Sequence, residues 1–122
     1  MELELTIQRR RRPREDDADQ LIEYLLSSLG FHQKIYRDIV KKLIHNELTS
    51  TELSQGLAKR TTTIYHLNKL MRAGIIVRKG SRYQIRDGSF ERMVEELLRD
   101  VERVFEDLLW AARILDKKFG MG

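Results

Sequence analysis

The first apolar residues of the chain alternate with polar ones. Leu3, Leu5 and Ile7 occupy every second position within residues 2–8, and a period of two predicts a strand with one buried face. A run of arginines at positions 9–12, followed by Pro13, ends this pattern. The strand has two possible partners, a sheet of its own chain or one of a second copy, and the pattern favours neither.

After this segment the apolar positions take the three- and four-residue spacing of helices. Asp16, Asp17 or Asp19 can cap a first helix, which continues to Leu29 and ends at Gly30. The apolar stripe of this helix is formed by Leu21, Ile22, Leu25, Leu26 and Leu29.

Two further helices are expected before residue 60. The first covers about residues 32–46, where apolar side chains recur on one wide face. The second starts at Thr49-Ser50-Thr51-Glu52, a capping box in which Thr49 and Glu52 bond each other's backbone amides. This short helix is expected to end at about Gln55 or Leu57.

A longer helix and a hairpin are expected next. The helix runs from Arg60 to about Ala73, and Gly74 provides its C-terminal stop. Residues 75–79 and 82–86 then flank Gly80-Ser81, a pair that suits the type II′ turn of a two-residue hairpin loop. The hairpin side chains expected to face inward are Ile75, Val77, Tyr83 and Ile85.

The C-terminal segment carries the longest helical pattern. Asp87-Gly88-Ser89 can cap a helix from about Phe90 to Lys118, which would be about 43 Å long at 1.5 Å per residue. Because that length exceeds a domain of this size, we expect a homodimer, the alternative being a helix folded back on its own domain. The expected dimer seam has heptad spacing and consists of Phe90, Val94, Leu97, Val101, Val104, Leu108, Ala111 and Leu115.

Composition narrows the class of protein. A chain of 122 residues that is 41% apolar and 34% charged fits one folded, helix-rich domain. It has no cysteine, which excludes disulfides and thiolate metal sites. No apolar run reaches the length of a membrane span, so we expect a cytoplasmic protein without a membrane partner.

The sequence contains no pattern typical of an enzyme, a metal site or a cofactor site. His32, His45 and His66 lack the spacing of metal ligands, and His66 is expected to make a structural hydrogen bond. There is no glycine-rich phosphate loop and no nucleophile elbow. The adjacent acids Glu95-Glu96 and Glu106-Asp107 diverge by about 100° on a helix, so we expect a solvated face instead of an acid–base pair.

The charges are distributed unevenly along the chain. Net charge is +4, yet the stretch from Leu53 to Arg86 has no acidic residue. A one-signed surface on a protein of mixed charge is typical of a nucleic-acid partner, although a charge run also occurs on ordinary solvated faces. The basic residues of this stretch are Lys59, Arg60, Lys69, Arg72, Arg78, Lys79, Arg82 and Arg86.

The same region resembles the winged helix-turn-helix domains of ArsR/MarR-like regulators of bacteria and archaea. Residues 62–67, Thr-Thr-Ile-Tyr-His-Leu, with Leu70 and residues 73–76, Ala-Gly-Ile-Ile, match most of a pattern frequent in those families. That pattern is Thr-Val-x-x-His-Leu-x-x-Leu-x-x-Ala-Gly-Leu-Ile, and the resemblance covers about residues 32–88.

The resemblance implies a mainly α fold with a small β wing. Residues 1–30 would supply the N-terminal strand, an arginine-rich linker and a short helix. Residues 31–88 would form the winged helix-turn-helix DNA-binding domain, and residues 89–122 the long dimerisation helix. Three features depart from the family: a turn about one residue shorter between the two helices, Thr63 in place of an aliphatic residue, and the absence of a cysteine pair.

Helical geometry selects the DNA-contacting face of the Arg60–Ala73 helix. At about 100° per residue, Thr63, Leu67 and Leu70 share the face that packs inward. The opposite face enters the major groove with its N-terminal half, although a register shift of one residue would turn Tyr65 inward. We expect base-edge contacts from Arg60, Thr61, Thr62 and Tyr65, and from Asn68 if it reaches an adenine.

Phosphate contacts are expected around this helix and from the hairpin. Lys59, Lys69 and Arg72 would flank the base-contacting residues, and Thr49 would place a helix N-terminus at a phosphate. The arginines at 9–12 have two interpretations, a minor-groove arm or a disordered linker. The wing is expected to bind the DNA backbone through Arg78, Lys79, Arg82 and Arg86.

The sequence thus predicts a homodimeric transcription regulator that binds double-stranded DNA sequence-specifically and is not an enzyme. Two alternatives remain: a sequence-independent architectural protein of the chromosome, and a winged-helix adaptor that binds proteins. The sequence identifies neither the target site nor a small-molecule effector.

Overall fold

The computed structural model describes residues 4–122 and shows a mainly helical chain, about 60% helix, with a small antiparallel sheet. The strands have the order β1–β3–β2, and a 3₁₀ turn at Arg86–Gly88 joins the last of them to the final helix. In chain order the elements are α1 (Ala18–Ser28), α2 (Lys34–Lys42), β1 (Leu48–Thr49), α3 (Ser50–Ser54), α4 (Arg60–Arg72), β2 (Ile76–Lys79), β3 (Arg82–Ile85) and α5 (Phe90–Phe119).

The predicted helix boundaries are confirmed where a side chain caps the helix. Asp17 caps α1 by accepting from the amide of Gln20 at 3.0 Å. At the start of α3 the Glu52 amide donates to the Thr49 hydroxyl at 3.2 Å, and the Thr49 amide donates to the Glu52 carboxylate at 3.0 Å. The uncapped α2 is shorter than expected, ending at Lys42 instead of near residue 46.

One core joins all the helices to the sheet. The face of α4 predicted to pack inward is fully buried, with Thr63, Leu67 and Leu70 each 0% exposed. The first turns of α5 close the core from the other side with Met93 and Leu97. Burial of this many large apolar side chains is the main favourable term in folding. The remaining core members include Leu26, Tyr36, Ile39, Val40, Leu53, Ile75, Ile76, Tyr83 and Ile85.

The predicted N-terminal strand is wrong for the residues that the structure describes. Residues 4–8 are extended but join no sheet; their amides donate to Arg72, Leu29 and Ser28 carbonyls at distances of 3.4, 3.3 and 2.9 Å. These carbonyls lie at the C-terminal ends of α4 and α1, where no intrahelical donor is left for them. The alternation therefore reflects an extended segment whose amides donate to carbonyl oxygens at the C-terminal ends of α4 and α1. Leu3 lies outside the described residues.

Gly30 allows this segment to pass close to α1. Its φ is +97°, a conformation that other residues rarely adopt. A Cβ built at Gly30 would lie 2.9 Å from the Cβ of Thr6. The helix stop predicted from Gly30 is therefore also the point where the N-terminal segment crosses the chain. Within that segment Leu5 packs on the core, whereas Ile7 is 62% exposed.

The hairpin forms as predicted and buries Ile75, Tyr83 and Ile85, but β2 turns Ile76 inward in place of Val77. Gly80 has a φ of +61° and Ser81 keeps a negative φ, in agreement with a type II′ turn. Because this two-residue loop pairs Lys79 with Arg82, Ile76 lies opposite Ile85. Ile76 is consequently buried and Val77 only half-buried, so the inward orientation predicted for Val77 is wrong.

A third strand, β1, was not predicted. Leu48 pairs with Tyr83 and Thr49 with Arg82, on the edge of β3 away from β2. Two residues carry no periodicity, so the local sequence offers no signal for such a strand. Its effect is to place the start of α3 beside the hairpin.

The N-terminal part of the long helix α5 is partly buried, and the rest is exposed to solvent. Its N-terminal part packs on the domain through Met93, Leu97 and Asp100, which are buried at 4,3 spacing. From residue 102 onward every residue of α5 is exposed or half-buried. The helix thus extends from the domain as expected, while its N-terminal part is held by the core.

The apolar residues that α5 exposes coincide only in part with the predicted seam, sharing Val94, Val101, Leu108 and Leu115 with it. Leu97 is buried within its own domain and is not free for a second copy, whereas Phe90 is half-buried against the core. Another 4,3 series is accessible instead, and we call it the α5 stripe. It consists of Val94, Leu98, Val101, Phe105, Leu108, Ala112, Leu115 and Phe119.

Candidate nucleic-acid interface

The starts of α3 and α4 lie side by side. Ser50, the first residue of α3, accepts a hydrogen bond of 3.3 Å from Nε of Arg60, the first residue of α4. The same bond orients the Arg60 side chain across the end of α3. One of the donors of Arg60 is therefore engaged within the protein, and the guanidinium is held close to the exposed start of α4.

The outward face of α4 is the one that the sequence predicted. Thr61, Thr62, Tyr65 and Asn68 are all exposed. Tyr65 is 53% exposed, which excludes the alternative register in which it would belong to the core. These side chains form a continuous polar face over the first two turns of the helix.

Thr63 is buried without leaving its hydroxyl unsatisfied. The hydroxyl donates to the carbonyl oxygen of Lys59 at 3.1 Å, one turn earlier in the chain. A buried hydroxyl with a partner avoids the desolvation cost of an unpaired polar group. A threonine at this buried position is therefore compatible with a packed helix.

Lys69 and Tyr65 form a pair on the exposed side of α4. The Lys69 ammonium lies 4.9 Å from the centre of the Tyr65 ring, within the range of a cation–π contact. Hydrogen bonding with the Tyr65 hydroxyl raises the pKa of Lys69 above its ordinary value. Lys69 therefore remains charged at neutral pH, as a phosphate contact requires.

His66 anchors α4 to α2 from the buried side. Its Nδ1 lies 2.9 Å from the Tyr36 hydroxyl, and the two rings meet edge to face with centroids 4.9 Å apart. Burial, followed by the charge of Lys69, lowers the pKa of His66, which favours a neutral imidazole. The structural hydrogen bond expected for this residue is present.

The tip of the hairpin exposes two basic side chains. Arg78 donates from Nε to the Gly80 carbonyl at 2.7 Å and lies over the Tyr83 ring, 5.7 Å from its centroid. Lys79 is exposed on the opposite side of the strand. Together they give the tip a concentrated positive charge.

Arg82 pairs with Lys79 beside the turn and contacts Glu47 and Glu52. Its Nη1 donates to the Glu47 carbonyl at 3.1 Å and lies 3.8 Å from the Glu52 carboxylate. Because half of its side chain is exposed, this contact is weak. The capping box already placed Glu52 at this helix end, so the sequence contained the signal.

The phosphate site expected at Thr49 is not supported by the geometry. The Glu52 carboxylate occupies the start of α3 through its bond with the Thr49 amide, and that bond lowers the pKa of Glu52. A permanent negative charge at this position repels a phosphate. Thr49 is therefore a cap and not a candidate contact.

The DNA contact expected from Arg86 is not supported either, because its side chain turns inward. Its Nη1 donates to Asp100 of α5 at 2.9 Å and approaches the Gly74 carbonyl at 3.4 Å. The Asp100 side chain is only 4% exposed. The sequence signal was the position of Asp100 at helical spacing from Met93 and Leu97, on the face that packs against the domain.

Arg72 is partly neutralised by the N-terminal segment. Its Nε lies 3.2 Å from the Glu4 carboxylate, and both side chains are about half exposed. The arginines at positions 9–12 are exposed and border a shallow cavity with Tyr24 of α1. The basic surface that remains around α4 and the hairpin consists of Lys59, Arg60, Lys69, Arg78, Lys79 and Arg82.

No family model, curated protein or solved structure matches this chain. Among residues 4–122, no helix has the length and apolar character needed to cross a membrane. Within the same residues, no cluster of three histidine or acidic side chains is placed to hold a metal ion.

Proposed function

We propose that this chain is a winged helix-turn-helix protein that binds double-stranded DNA as a homodimer and regulates transcription. The order of elements supports the proposal, since a capped short helix, a turn, a longer helix and a basic hairpin follow one another. The observation that carries it is the exposed start of α4 beside a positively charged hairpin tip, in a stretch without acidic residues.

In this proposal the first two turns of α4 enter the major groove. Thr61, Thr62 and Tyr65 meet the base edges, with Asn68 deeper along the helix. Lys59 and Lys69 contact phosphates on either side and fix the position of the helix. The hairpin tip, with Arg78 and Lys79, approaches the neighbouring backbone.

The test is selection of bound duplexes from a random library, followed by titration of the selected site and of random DNA at one salt concentration. A specific regulator should bind its site at least about 10³-fold more tightly than random duplex. Tyr65→Ala should reduce that ratio. Trp110→Ala, which also removes an exposed aromatic ring but lies on α5, should leave it unchanged.

A sequence-independent architectural protein is the second candidate. It is favoured by the composition of the exposed start of α4, where two threonines and a tyrosine offer few bidentate contacts to bases. Under this alternative the ratio of specific to random affinity stays well below 10³, and Tyr65→Ala weakens binding to every duplex alike.

A further inference from the structure

We propose that two copies of the chain pack their α5 stripes against each other in antiparallel orientation, so that the end of each helix covers an apolar groove on the other copy. This deepens the proposed function, because it rests on the homodimer and specifies its geometry. Three independent features of the single chain support it: the groove, the charges and the length of α5.

The groove lies between α1 and the start of α5. It has a volume of about 470 Å³, and Leu21 and Leu25 of α1 and the adjoining Leu29 line it together with Phe90 and Val94 of α5. Val94 is also the first residue of the α5 stripe, so the groove and the stripe form one continuous apolar surface. An apolar surface of this extent on a soluble protein indicates a binding partner.

The C-terminal end of the α5 stripe carries the apolar side chain that would cover this groove. Phe119, the last residue of α5, is 73% exposed, and Leu115 precedes it by one turn on the same face. In an antiparallel pair the second copy's Phe119 lies level with Val94 and therefore beside the groove. In a parallel pair the grooves would meet each other, and both copies of Phe119 would stay at the far end.

Charge favours the same orientation. Residues 95–100 carry three acidic and one basic side chain, whereas residues 113–118 carry three basic and one acidic. An antiparallel pair brings these opposite segments together at both ends, and a parallel pair would join like with like. The two helix dipoles also oppose each other only in the antiparallel arrangement.

The length of α5 connects this pairing to DNA. Val94 and Phe119 are about 37 Å apart at 1.5 Å per residue, so the antiparallel pair separates the two domains by about that distance along the helix. Successive major grooves on one face of a duplex are about 34–36 Å apart. The helix thus has the span that two α4 helices need to occupy neighbouring grooves.

Cysteine cross-linking in the absence of DNA tests the orientation. The chain has no cysteine, so Val94→Cys, Phe119→Cys and their double variant each provide defined thiols. On mild oxidation the double variant, and an equimolar mixture of the two single variants, should form covalent dimers. Each single variant by itself should stay uncross-linked, because its two thiols would be about 37 Å apart.

The control is Trp110→Cys, an exposed position that lies about 200° around the helix from Leu108. It should not cross-link. Dimers from either single variant alone would show parallel pairing and overturn the proposal, as would equal cross-linking of the control. A monomer of the unsubstituted chain in light scattering would also overturn it. Because no DNA is present, a protein that cross-links as expected but binds no DNA would refute only the proposed function.

Discussion

Basic residues of the same hairpin have different contacts in the fold. Arg78 and Arg86 lie at opposite ends of one hairpin and were predicted to contact DNA alike. Arg78 is exposed near the tip, whereas Arg86 pairs with the buried Asp100. Positive charge can be counted from the sequence, but the partner of each charge depends on residues that are distant along the chain.

The two arginines should therefore respond differently to removal. Arg86→Ala leaves the buried Asp100 carboxylate without its main partner, although Arg103 lies 3.8 Å away, and should lower the free energy of unfolding by roughly 3 kcal/mol. Arg78→Ala should leave stability unchanged within about 0.5 kcal/mol and reduce the log–log salt slope of DNA binding by about 0.9. Urea unfolding and salt titrations measure both. A reduced slope without lost stability in Arg86→Ala would contradict the assignment.

His66 should make stability depend on pH. Its pKa is lower in the folded protein than the ordinary value of 6.5. As the pH falls below about 6.5, the unfolded chain gains a proton before the folded chain does, so the free energy of unfolding decreases toward the folded pKa. Above pH 6.5 this contribution is fully present.

Replacing this histidine should flatten the pH dependence. His66→Gln should lose less stability than the unsubstituted chain between pH 7 and about pH 5.5, as measured by urea midpoints at each pH. His32→Gln, at an exposed site, provides the matched control and should retain the slope. A His66→Gln profile as steep as that of the unsubstituted chain would assign the pH dependence to other groups.

At the scale of elements, the helices with a cap or a long period and the face of β3 were predicted correctly, and the face of β2 was not. The capping box at Thr49 and the glycine stop at Gly74 act locally, so their signals are complete in the sequence. The face of β2 depends on its pairing with β3, which places Ile76 and not Val77 in the core. The length of the turn does predict this pairing, because a two-residue loop determines which residues of the two strands lie opposite each other.

The α5 stripe gives a prediction for this helix. Leu108→Asp places a charge in the middle of the stripe and should convert the dimer to a monomer. Trp110→Asp removes another exposed apolar side chain, from the opposite face of α5, and should leave the dimer intact. Light scattering over a range of concentrations distinguishes them, and circular dichroism checks that both variants keep their helix. Equal effects from the two substitutions would exclude the stripe as the interface.

At the scale of the whole molecule, the proposed antiparallel pair would fix the separation of the two proposed DNA-binding surfaces. The helix α5 is held to its own domain by Met93, Leu97 and the Arg86–Asp100 pair. Since this attachment is buried and the helix is long, we expect the two domains of the proposed dimer to have little freedom to adjust their spacing. The protein should therefore discriminate between DNA sites by the distance between half-sites.

Half-site spacing is the measurement at this scale. Two half-sites with centres about 10–10.5 base pairs apart should bind the dimer most tightly. Inserting five base pairs rotates one half-site to the other face of the duplex and should reduce the affinity to that of a single half-site. A site that binds equally well at every spacing would show that the domains are flexibly linked. The same DNA with one half-site scrambled serves as the reference.

The sequence by itself determined the helices, the hairpin turn, the exposed face of α4 and the acid-free stretch, because each depends on residues near one another in the chain. Only the tertiary structure decided where the N-terminal segment lies, which arginines are neutralised and which face of α5 stays free. These depend on contacts between distant elements: helix-end carbonyls that bind residues 4–8, an acid on α5 that binds Arg86, and a core that takes up Leu97. Local periodicity shows that a surface is apolar or basic. Which residues that surface contacts depends on how the whole chain packs.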